Sequence, residues 1–442
     1  MLSILRNKTY RTLFLAQVIA LLGTGIATVA LALLAFDLSG PNAGQVLGTA
    51  LAIKMVAYVG VAPFAAALSE KLPRRGLLVC LDIVRALIVL CLPFVTAVWQ
   101  VYALIFILQS ASAAFTPTFQ ATIPDVLPDE SEYTRALSLS RLAYDLENLV
   151  SPMLAAALLT VMAFSDLFVG TAIGFAVSAL LVLSVRLPKQ TQARRDFRQS
   201  FMQRVTNGLR VYLATPRLRG LLAVNLVVAA AGSMVIVNTV VIVQSSFGLS
   251  EQETAFAFAA FGGGSMMAAL GLPLLLDRFS DRPIMLLAAT LLLVALVVGS
   301  TLTSFVSLIS VWFVLGAGYA AAQTPSGRLL RRSSHPEDRP ALFAAQFTLS
   351  HAMWLIAYPL AGFVGGVAGI PIAFLVLSGL AAVGLAAALI VWPKADPADV
   401  EHRPTDLAQD DPHWSDGVRT GKFQHTHDYI IDNHHAHWPK DG

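Results

Sequence analysis

Apolar runs of about 20 residues, separated by short polar segments, follow one another along most of the chain. A helix of that length rises about 1.5 Å per residue and crosses the hydrocarbon core of a bilayer, which is about 30 Å thick. Twelve runs can be drawn, at about 12–36, 43–68, 76–98, 101–123, 137–163, 167–185, 220–244, 255–276, 283–301, 305–327, 341–365 and 371–392. The pattern predicts an all-α membrane protein with twelve transmembrane helices.

The composition supports this prediction. Of the 442 residues, 56% are hydrophobic and 13% are charged, whereas a soluble domain carries about 25% charged residues. The sequence contains no phosphate-binding loop, no Ser-His-Asp spacing and no regular Cys/His ligand set outside its C-terminal tail. We therefore expect neither a soluble protein nor an enzyme.

The charge of the connecting segments predicts which side of the membrane each one faces. Basic residues are concentrated after the second, fourth, sixth, eighth and tenth runs, and the other connections have almost no Lys or Arg. The positive-inside rule then places both termini on the cytoplasmic side of a bacterial-type inner membrane. The segment 186–219 carries nine basic residues and one acid, which anionic lipid explains better than nucleic acid does.

Landmarks of the first half of the chain recur in the second half with one spacing. Segment 70–75 is echoed by 277–282, Thr116-Pro117 by Thr324-Pro325, and Ser151-Pro152 by Tyr358-Pro359, all at offsets of 207 or 208 residues. Three landmarks on different helices share this offset, so the halves are predicted to be duplicated.

The repeat and the charge together predict the domain organisation. Transporters built from such repeats place their sites near the middle of the membrane, where the halves meet. We expect two pseudo-symmetric six-helix bundles, 1–185 and 220–392, joined by a basic cytoplasmic linker, 186–219, and followed by a cytoplasmic tail, 393–442.

Two stretches resemble those of a known transporter family. Residues 66–75, Ala-Ala-Leu-Ser-Glu-Lys-Leu-Pro-Arg-Arg, are similar to the signature Gly-x-x-x-Asp-Arg-x-Gly-Arg-Arg of the major facilitator superfamily, with the charges kept and the glycines replaced. Residues 115–125, Phe-Thr-Pro-Thr-Phe-Gln-Ala-Thr-Ile-Pro-Asp, resemble the branch that contains drug–proton antiporters and siderophore exporters. The resemblance implies the fold of that superfamily and transport by alternating access.

The signature also implies a gate made of charges. Acids and bases at one end of the second and eighth helices can pair with the opposite half when that end closes, and the candidates are Glu70, Lys71, Arg74, Arg75, Asp277, Arg278 and Arg282. Topology marking and contact with lipid headgroups explain part of the same charge. The repetition of the acid in both halves favours the gating interpretation.

Segment 138–152 carries charge into the fifth predicted helix. At about 100° per residue, its strongly polar side chains fall within less than half of the helix circumference, among them Arg141, Asp145, Glu147 and Asn148. A lipid-facing charge costs about 2.5–3.5 kcal/mol, so these groups should face a protein interior or a watery cavity. A carboxylate there can load and release a proton. A static i,i+4 pair is the rival interpretation for Arg141 and Asp145, which leaves Glu147 as the favoured proton site.

Lys54 and Gln109 lie inside the second and fourth predicted helices. Lys54 is too deep to reach the headgroups easily, and it needs a carboxylate such as Asp145 or Glu147. That pairing is equally compatible with a structural role and with a substrate or proton site. Gln109 stands where many proton antiporters of the resembling branch carry an arginine.

His351 lies about midway along the eleventh predicted helix, on roughly the same face as Trp354 and Tyr358. Histidine titrates near neutral pH, so His351 can respond to pH or bind a metal. A histidine satisfied by a neighbouring group is the more common case.

The tail 393–442 holds seven of the nine histidines and has a net charge of −5. We expect it to be cytoplasmic and largely disordered, because it has no apolar run. Clustered imidazoles can bind nickel, zinc or cobalt, and the candidate ligands are His425, His427, His434, His435 and His437. Some nickel-resistance exporters of the superfamily resemble this arrangement, whereas a solvated polar tail with incidental affinity is the simpler alternative.

Three functions remain open. The first is proton-coupled efflux of a small amphiphilic organic molecule, which suits an apolar interior with few polar groups. The second is export of a divalent metal that the tail collects and that Asp145, Glu147 and His351 pass on. The third is a membrane sensor or assembly factor in which the tail is the working part. We expect a monomer in the lipid bilayer, with a proton gradient and no bound cofactor or nucleic acid.

Overall fold

The computed structural model describes residues 2–69, 72–127, 129–187, 201–276, 278–334, 339–394, 399–402, 418–421, 424–431 and 438. Within these ranges the helices are α1 (Lys8–Ser39), α2 (Ala43–Ser69), α3 (Arg74–Cys91), α4 (Val98–Val126), α5 (Glu130–Leu159), α6 (Phe164–Ser184), α7 (Phe201–Ala214), α8 (Pro216–Val240), α9 (Glu251–Leu276), α10 (Asp281–Gly299), α11 (Phe305–Gln323), α12 (Ser326–Arg332), α13 (Arg339–Ala368) and α14 (Ile370–Val391). A single turn of π-helix, Val241–Ser246, follows α8.

Twelve of the described helices, all except α7 and α12, are 18 to 32 residues long. Ten segments of the described chain are long and apolar enough to cross a membrane, and the first of them, Lys8–Val61, contains all of α1 and most of α2. Helix α5 is not among the ten, in keeping with the charges that the sequence places on it. The protein is a multi-pass integral membrane protein.

Local sequence fixes several helix ends. The side chain of Asn7 accepts a hydrogen bond from the backbone N–H of Tyr10 at 3.1 Å and caps α1. The Asp129 carboxylate accepts from the N–H of Glu132 at 3.0 Å and caps α5. Gly40 follows α1 with a φ of 52°, a conformation that residues with a Cβ rarely adopt. The chain can therefore reverse directly into α2.

Helices α1–α6 form the first bundle, and α8–α11, α13 and α14 form the second. The bundles meet where α2 packs against α13 and where α5 packs against α9. The repeat relates these two contacts to each other. Counting only the long helices, α2 and α9 are the second and the eighth, and α5 and α13 are the fifth and the eleventh, so each helix of one contact corresponds to a helix of the other. Short helix α7 packs against α13, where the buried Tyr212 hydroxyl donates to the side-chain oxygen of Gln346.

The described part of the tail is folded, so the prediction of a largely disordered tail is wrong for these residues. Strands β1 (Asp399–His402), β2 (Val418–Gly421) and β3 (Gln424–Asp428) form an antiparallel sheet in the order β1-β3-β2. Tyr429 and Ile431 follow directly and are only 4% and 2% exposed. Burial of these apolar side chains against the membrane bundle offsets the polar composition of the tail.

Candidate functional site

Lys54 of α2 and Glu147 of α5 bring opposite charges into the first bundle and act electrostatically on each other. No direct ion pair joins them in the part of the chain that the structure describes. Their charged ends therefore interact through space and not as a direct ion pair.

Helix α5 holds Glu147 by packing closely on α1. A Cβ at Gly25 would stand 3.3 Å from Cγ of Glu147 and would overlap the side chain of Ser151. The Ser151 hydroxyl is buried and donates to the carbonyl oxygen of Leu22 at 3.4 Å. The absence of a side chain at Gly25 thus lets α5 approach, which directs Glu147 toward the bundle and away from lipid.

A cavity of about 20 Å³ lies beside Lys54. All of its lining residues belong to the first bundle, and the polar ones besides Lys54 are Thr24, Thr28, Gln109 and Ser112. Pockets that hold drug-sized molecules measure about 300–1,000 Å³. In this conformation the cavity therefore admits only a ligand of about the size of water.

Aromatic rings join the two bundles on one side of Lys54. The rings of Tyr58 and His351 stack with centroids 5.3 Å apart, and Phe347 lies 3.9 Å from His351 by the same measure. The ammonium of Lys54 stands 5.8 Å from the centre of the Tyr58 ring. His351 Nδ1 lies 2.7 Å from the carbonyl oxygen of Phe347, so this histidine has a neighbouring partner, as in the simpler interpretation of the sequence.

A chain of aromatic side chains continues through the second bundle. Trp354 lies 4.9 Å from Tyr358 and 6.5 Å from Tyr319 between ring centroids, and Tyr319 meets Phe261 at 5.6 Å. Sequence reasoning placed Trp354 and Tyr358 near His351 but missed Tyr58, Tyr319 and Phe261. These three lie on other helices, and a helical period gives no signal for such contacts.

Some predicted residues cannot be placed from the structure. The side chains of Arg141, Asp145 and Asn148 lie outside the described part, although their backbone belongs to α5. Glu70, Lys71, Asp277, His434, His435 and His437 lie outside the described residues. His425 and His427 are described as backbone of β3, where the register pairs His425 with His402 of β1. Their proposed roles stay predictions.

The described gating candidates bind mainly within their own half. Arg74 pairs with Asp125, and Arg75 donates to the carbonyl oxygen of Leu183. Arg282 donates to the carbonyl oxygen of Trp392 at 3.1 Å, whereas Arg278 is exposed. In this conformation these bonds fix helix ends inside each bundle.

Sequence reasoning did not identify the acidic partners in these ion pairs, which are Asp125 in the first half and Asp281 in the second. Asp281 is bound by Arg328 at 3.0 Å and lies 4.0 Å from Arg332. Asp281 and Arg332 stand 207 residues after Arg74 and Asp125, so the second half repeats the pair of the first half with the charges exchanged. Extending the observed repeat to every charged position would have found it.

A second ion pair lies deep in the first bundle. Asp82, which is 0% exposed, pairs with Arg85 and accepts from the Ser178 hydroxyl at 2.7 Å. The guanidinium carbon of Arg85 lies 4.1 Å and 4.5 Å from the ring centres of Phe115 and Phe175. The pair is enclosed by α3, α4 and α6, which is consistent with a structural role.

Comparisons with known proteins agree with this architecture. Macrolide efflux protein A of Streptococcus pyogenes is 23% identical over 220 residues, 49% of this chain and 54% of that protein, so the match spans about half of the relative. The uncharacterized MFS-type transporter YfiS of Bacillus subtilis is 22% identical over 385 residues, 84% of this chain and 90% of that protein.

Solved structures show the same fold. A bacterial homolog of the human lysosomal transporter Spinster, inward-facing and unoccupied, superposes with a TM-score of 0.68 at 13% identity, covering 88% of this chain and 99% of that one. The nucleoside transporter NupG has a TM-score of 0.63 at 14% identity, with 87% and 98% covered. The sequence model described as Major Facilitator Superfamily matches residues 13–235 and again 221–425. The chain belongs to the Major Facilitator Superfamily of membrane transporters, and the predicted all-α twelve-helix fold of its membrane part is confirmed.

Proposed function

We propose that this transporter exports a small amphiphilic organic molecule in exchange for inward-moving protons. The observation that carries the proposal is that Glu147 of α5 and Lys54 of α2 interact electrostatically inside the first bundle without forming an ion pair in the described structure. A carboxylate in this position can be neutralised either by a proton or by the nearby ammonium. The two charge states can therefore favour different arrangements of the helices.

The name of the macrolide efflux relatives supports export, and a macrolide is an amphiphilic organic molecule. The aromatic chain of Trp354, Tyr358, Tyr319 and Phe261 offers apolar surface in the second bundle for such a solute. We assign the charged residues of the first bundle to proton binding and these rings to solute binding. The basic connections support cytoplasmic termini.

Transport in liposomes tests the proposal. Purified protein should accumulate a macrolide against its concentration gradient when a pH gradient is imposed. Glu147→Gln removes the titrating group, so gradient-driven accumulation should be lost while solute exchange without a gradient is retained. Glu132→Gln, in the first turn of the same helix, is the matched control and should behave as the parent. Gradient-driven accumulation by Glu147→Gln at the parent rate would contradict the assignment.

Metal binding by the tail is a separate proposal, and one observation favours it. The register of β1 and β3 pairs His402 with His425, a histidine that sequence reasoning had not included. Isothermal titration of nickel or zinc into the full-length protein should show a site that His402→Ala and His425→Ala weaken. Equal affinity in the parent and both variants would exclude this site.

A further inference from the structure

The cavity beside Lys54 presents two opposite hydrogen-bonding requirements. Lys54 has three N–H donors and needs acceptors. Gln109 is 7% exposed, and its side-chain oxygen has no hydrogen-bond partner in the described structure. That oxygen needs a donor. A water molecule supplies both a donor and an acceptor, whereas an anion satisfies only the lysine and a metal ion only the amide oxygen.

The other polar walls of the cavity add acceptors. The Thr28 hydroxyl donates to the carbonyl oxygen of Thr24 at 3.0 Å, and the Ser112 hydroxyl donates to that of Leu108 at 3.1 Å. Each hydrogen is thus used within its helix, and the hydroxyl oxygens keep lone pairs for a ligand. The cavity measures about 20 Å³, and a water molecule requires about 10–15 Å³ with two to four polar partners.

We propose that this cavity is a water site, in which Gln109 holds a water molecule that hydrates the Lys54 ammonium. The inference rests on the proposed proton coupling and gives Gln109 a positioning role within it. When Glu147 takes up a proton, Lys54 loses the negative charge that faces it. A buried charge without a partner is costly, and the bound water stabilises the ammonium during that half of the cycle.

The position of the site suits this role. Its lining residues come from α1, α2, α4 and α6 and from the turn at Leu92, so all belong to the first bundle. The solute path of a duplicated transporter lies between the bundles. The water can therefore stay bound to Lys54 while the bundles separate and close.

Gln109→Met tests the inference, because methionine has similar volume and no comparable hydrogen-bonding group. Loss of the water disfavours the state with protonated Glu147, so protonation requires more acid. The midpoint of the pH profile of macrolide transport should move by about one unit toward lower pH, a tenfold change in proton concentration, with unchanged macrolide binding. Thr118→Val removes a buried hydroxyl from the same helix outside the cavity lining and should leave the profile unchanged. An unchanged profile in Gln109→Met overturns the positioning role.

Radiolytic labelling in oxygen-18 water tests the site without transport. Hydroxyl radicals formed from a bound water should label Leu108 and Phe175, which line the cavity, and Gln109→Met should lose this label. A parent protein without label at these residues overturns the water site. If the parent is labelled but moves no macrolide under a pH gradient, the proposed transport function fails while the water site stands.

Discussion

Gly48 of α2 lies against Gly362 of α13, where a Cβ on Gly48 would stand 3.2 Å from the Gly362 Cα and 2.6 Å from the carbonyl oxygen of Tyr358. The two bundles thus meet backbone to backbone on one side of Lys54. The Tyr58–His351 stack joins the same two helices on its other side. Because alternating access requires the bundles to separate at one end at a time, we expect these two contacts to break in different halves of the cycle.

Gly48→Ala should shift the protein away from the conformation in which α2 and α13 touch at Gly362. The added methyl group overlaps the α13 backbone, and overpacking of this kind costs about 1–3 kcal/mol. We expect faster labelling by a membrane-impermeant maleimide at a cysteine introduced as Gln45→Cys, one turn away. The measurement compares Gln45→Cys alone with the double variant.

Gly60 supplies the control for this experiment. It lies on the same helix, and a Cβ there would meet nothing within 4 Å. Gly60→Ala should therefore leave the labelling rate at Gln45→Cys unchanged. Equal rates in the Gly48→Ala and Gly60→Ala backgrounds would show that the close approach does not limit opening.

The stability of Lys54 and Glu147 variants should be strongly non-additive. Lys54→Met leaves the Glu147 carboxylate in the bundle without its facing charge, and Glu147→Gln does the same to the ammonium. The double variant removes both charges and should be more stable than the sum of the single losses predicts, by about 0.5–3 kcal/mol. Thermal unfolding of the four proteins in detergent, followed by tryptophan fluorescence, measures this coupling; additive shifts would mean that the two groups act independently.

The helices were predictable because each apolar run must be long enough to cross the bilayer. The eleventh run, predicted at 341–365, forms α13 at Arg339–Ala368. The fifth was predicted from residue 137, but α5 already begins at Glu130, since Asp129 caps a polar first turn that hydropathy does not detect. The folded tail was missed because Tyr429 and Ile431 gain their burial from distant parts of the chain.

The candidate site was less predictable than the helices. The sequence identified Lys54, Glu147 and Gln109 as polar residues that the membrane disfavours. It could not choose between Asp145 and Glu147 as the group facing Lys54, because that depends on how α2 and α5 are rotated in the bundle. The cavity beside Gln109 and the stack of Tyr58 on His351 likewise arise from contacts between helices, which a single helical period does not encode.

Exchanging the charges of Arg74 and Asp125 should preserve or increase stability. Arg74 lies at the start of α3 and Asp125 near the end of α4, so each charge is unfavourable to its helix dipole. In the second half of the chain the acid Asp281 lies at the start of α10, where a negative charge is favourable to the helix dipole. Asp125→Arg alone should cost about 1–3 kcal/mol through repulsion with Arg74. Adding Arg74→Asp should recover the loss, as measured by thermal unfolding.

The exposed Arg278 provides the control for the exchange. It lies just before α10, and Arg278→Ala should not change the unfolding temperature. If the doubly exchanged protein is stable but transports slowly, the original polarity serves the transport cycle or the interaction with lipid headgroups. If it remains as unstable as Asp125→Arg, the pair does not account for the stability of this end of the bundle.

Trp438 attaches the tail to the N-terminal end of α8. Its ring centre lies 4.9 Å from the guanidinium carbon of Arg217, which is 1% exposed, and 5.2 Å from the ring centre of Tyr429. A cation–π contact contributes about 0.5–2 kcal/mol and an aromatic pair about 0.5–1.5 kcal/mol. Trp438→Ala should therefore release the tail from the bundle more often, and trypsin should cleave it faster at Arg419, on β2, than in the parent.

Two further variants separate attachment of the tail from general instability. Arg217→Lys keeps the positive charge but loses the planar guanidinium that stacks on Trp438, so it should also accelerate cleavage. Arg219→Lys changes an exposed side chain one half-turn away and should leave cleavage at the parent rate. Cleavage in Trp438→Ala at the parent rate would contradict the attachment. Faster cleavage with an unchanged unfolding temperature of the bundle would show that the tail detaches as a separate unit. The contacts of Trp438 would then stabilise only the attachment of the tail, and packing between the helices would stabilise the bundle.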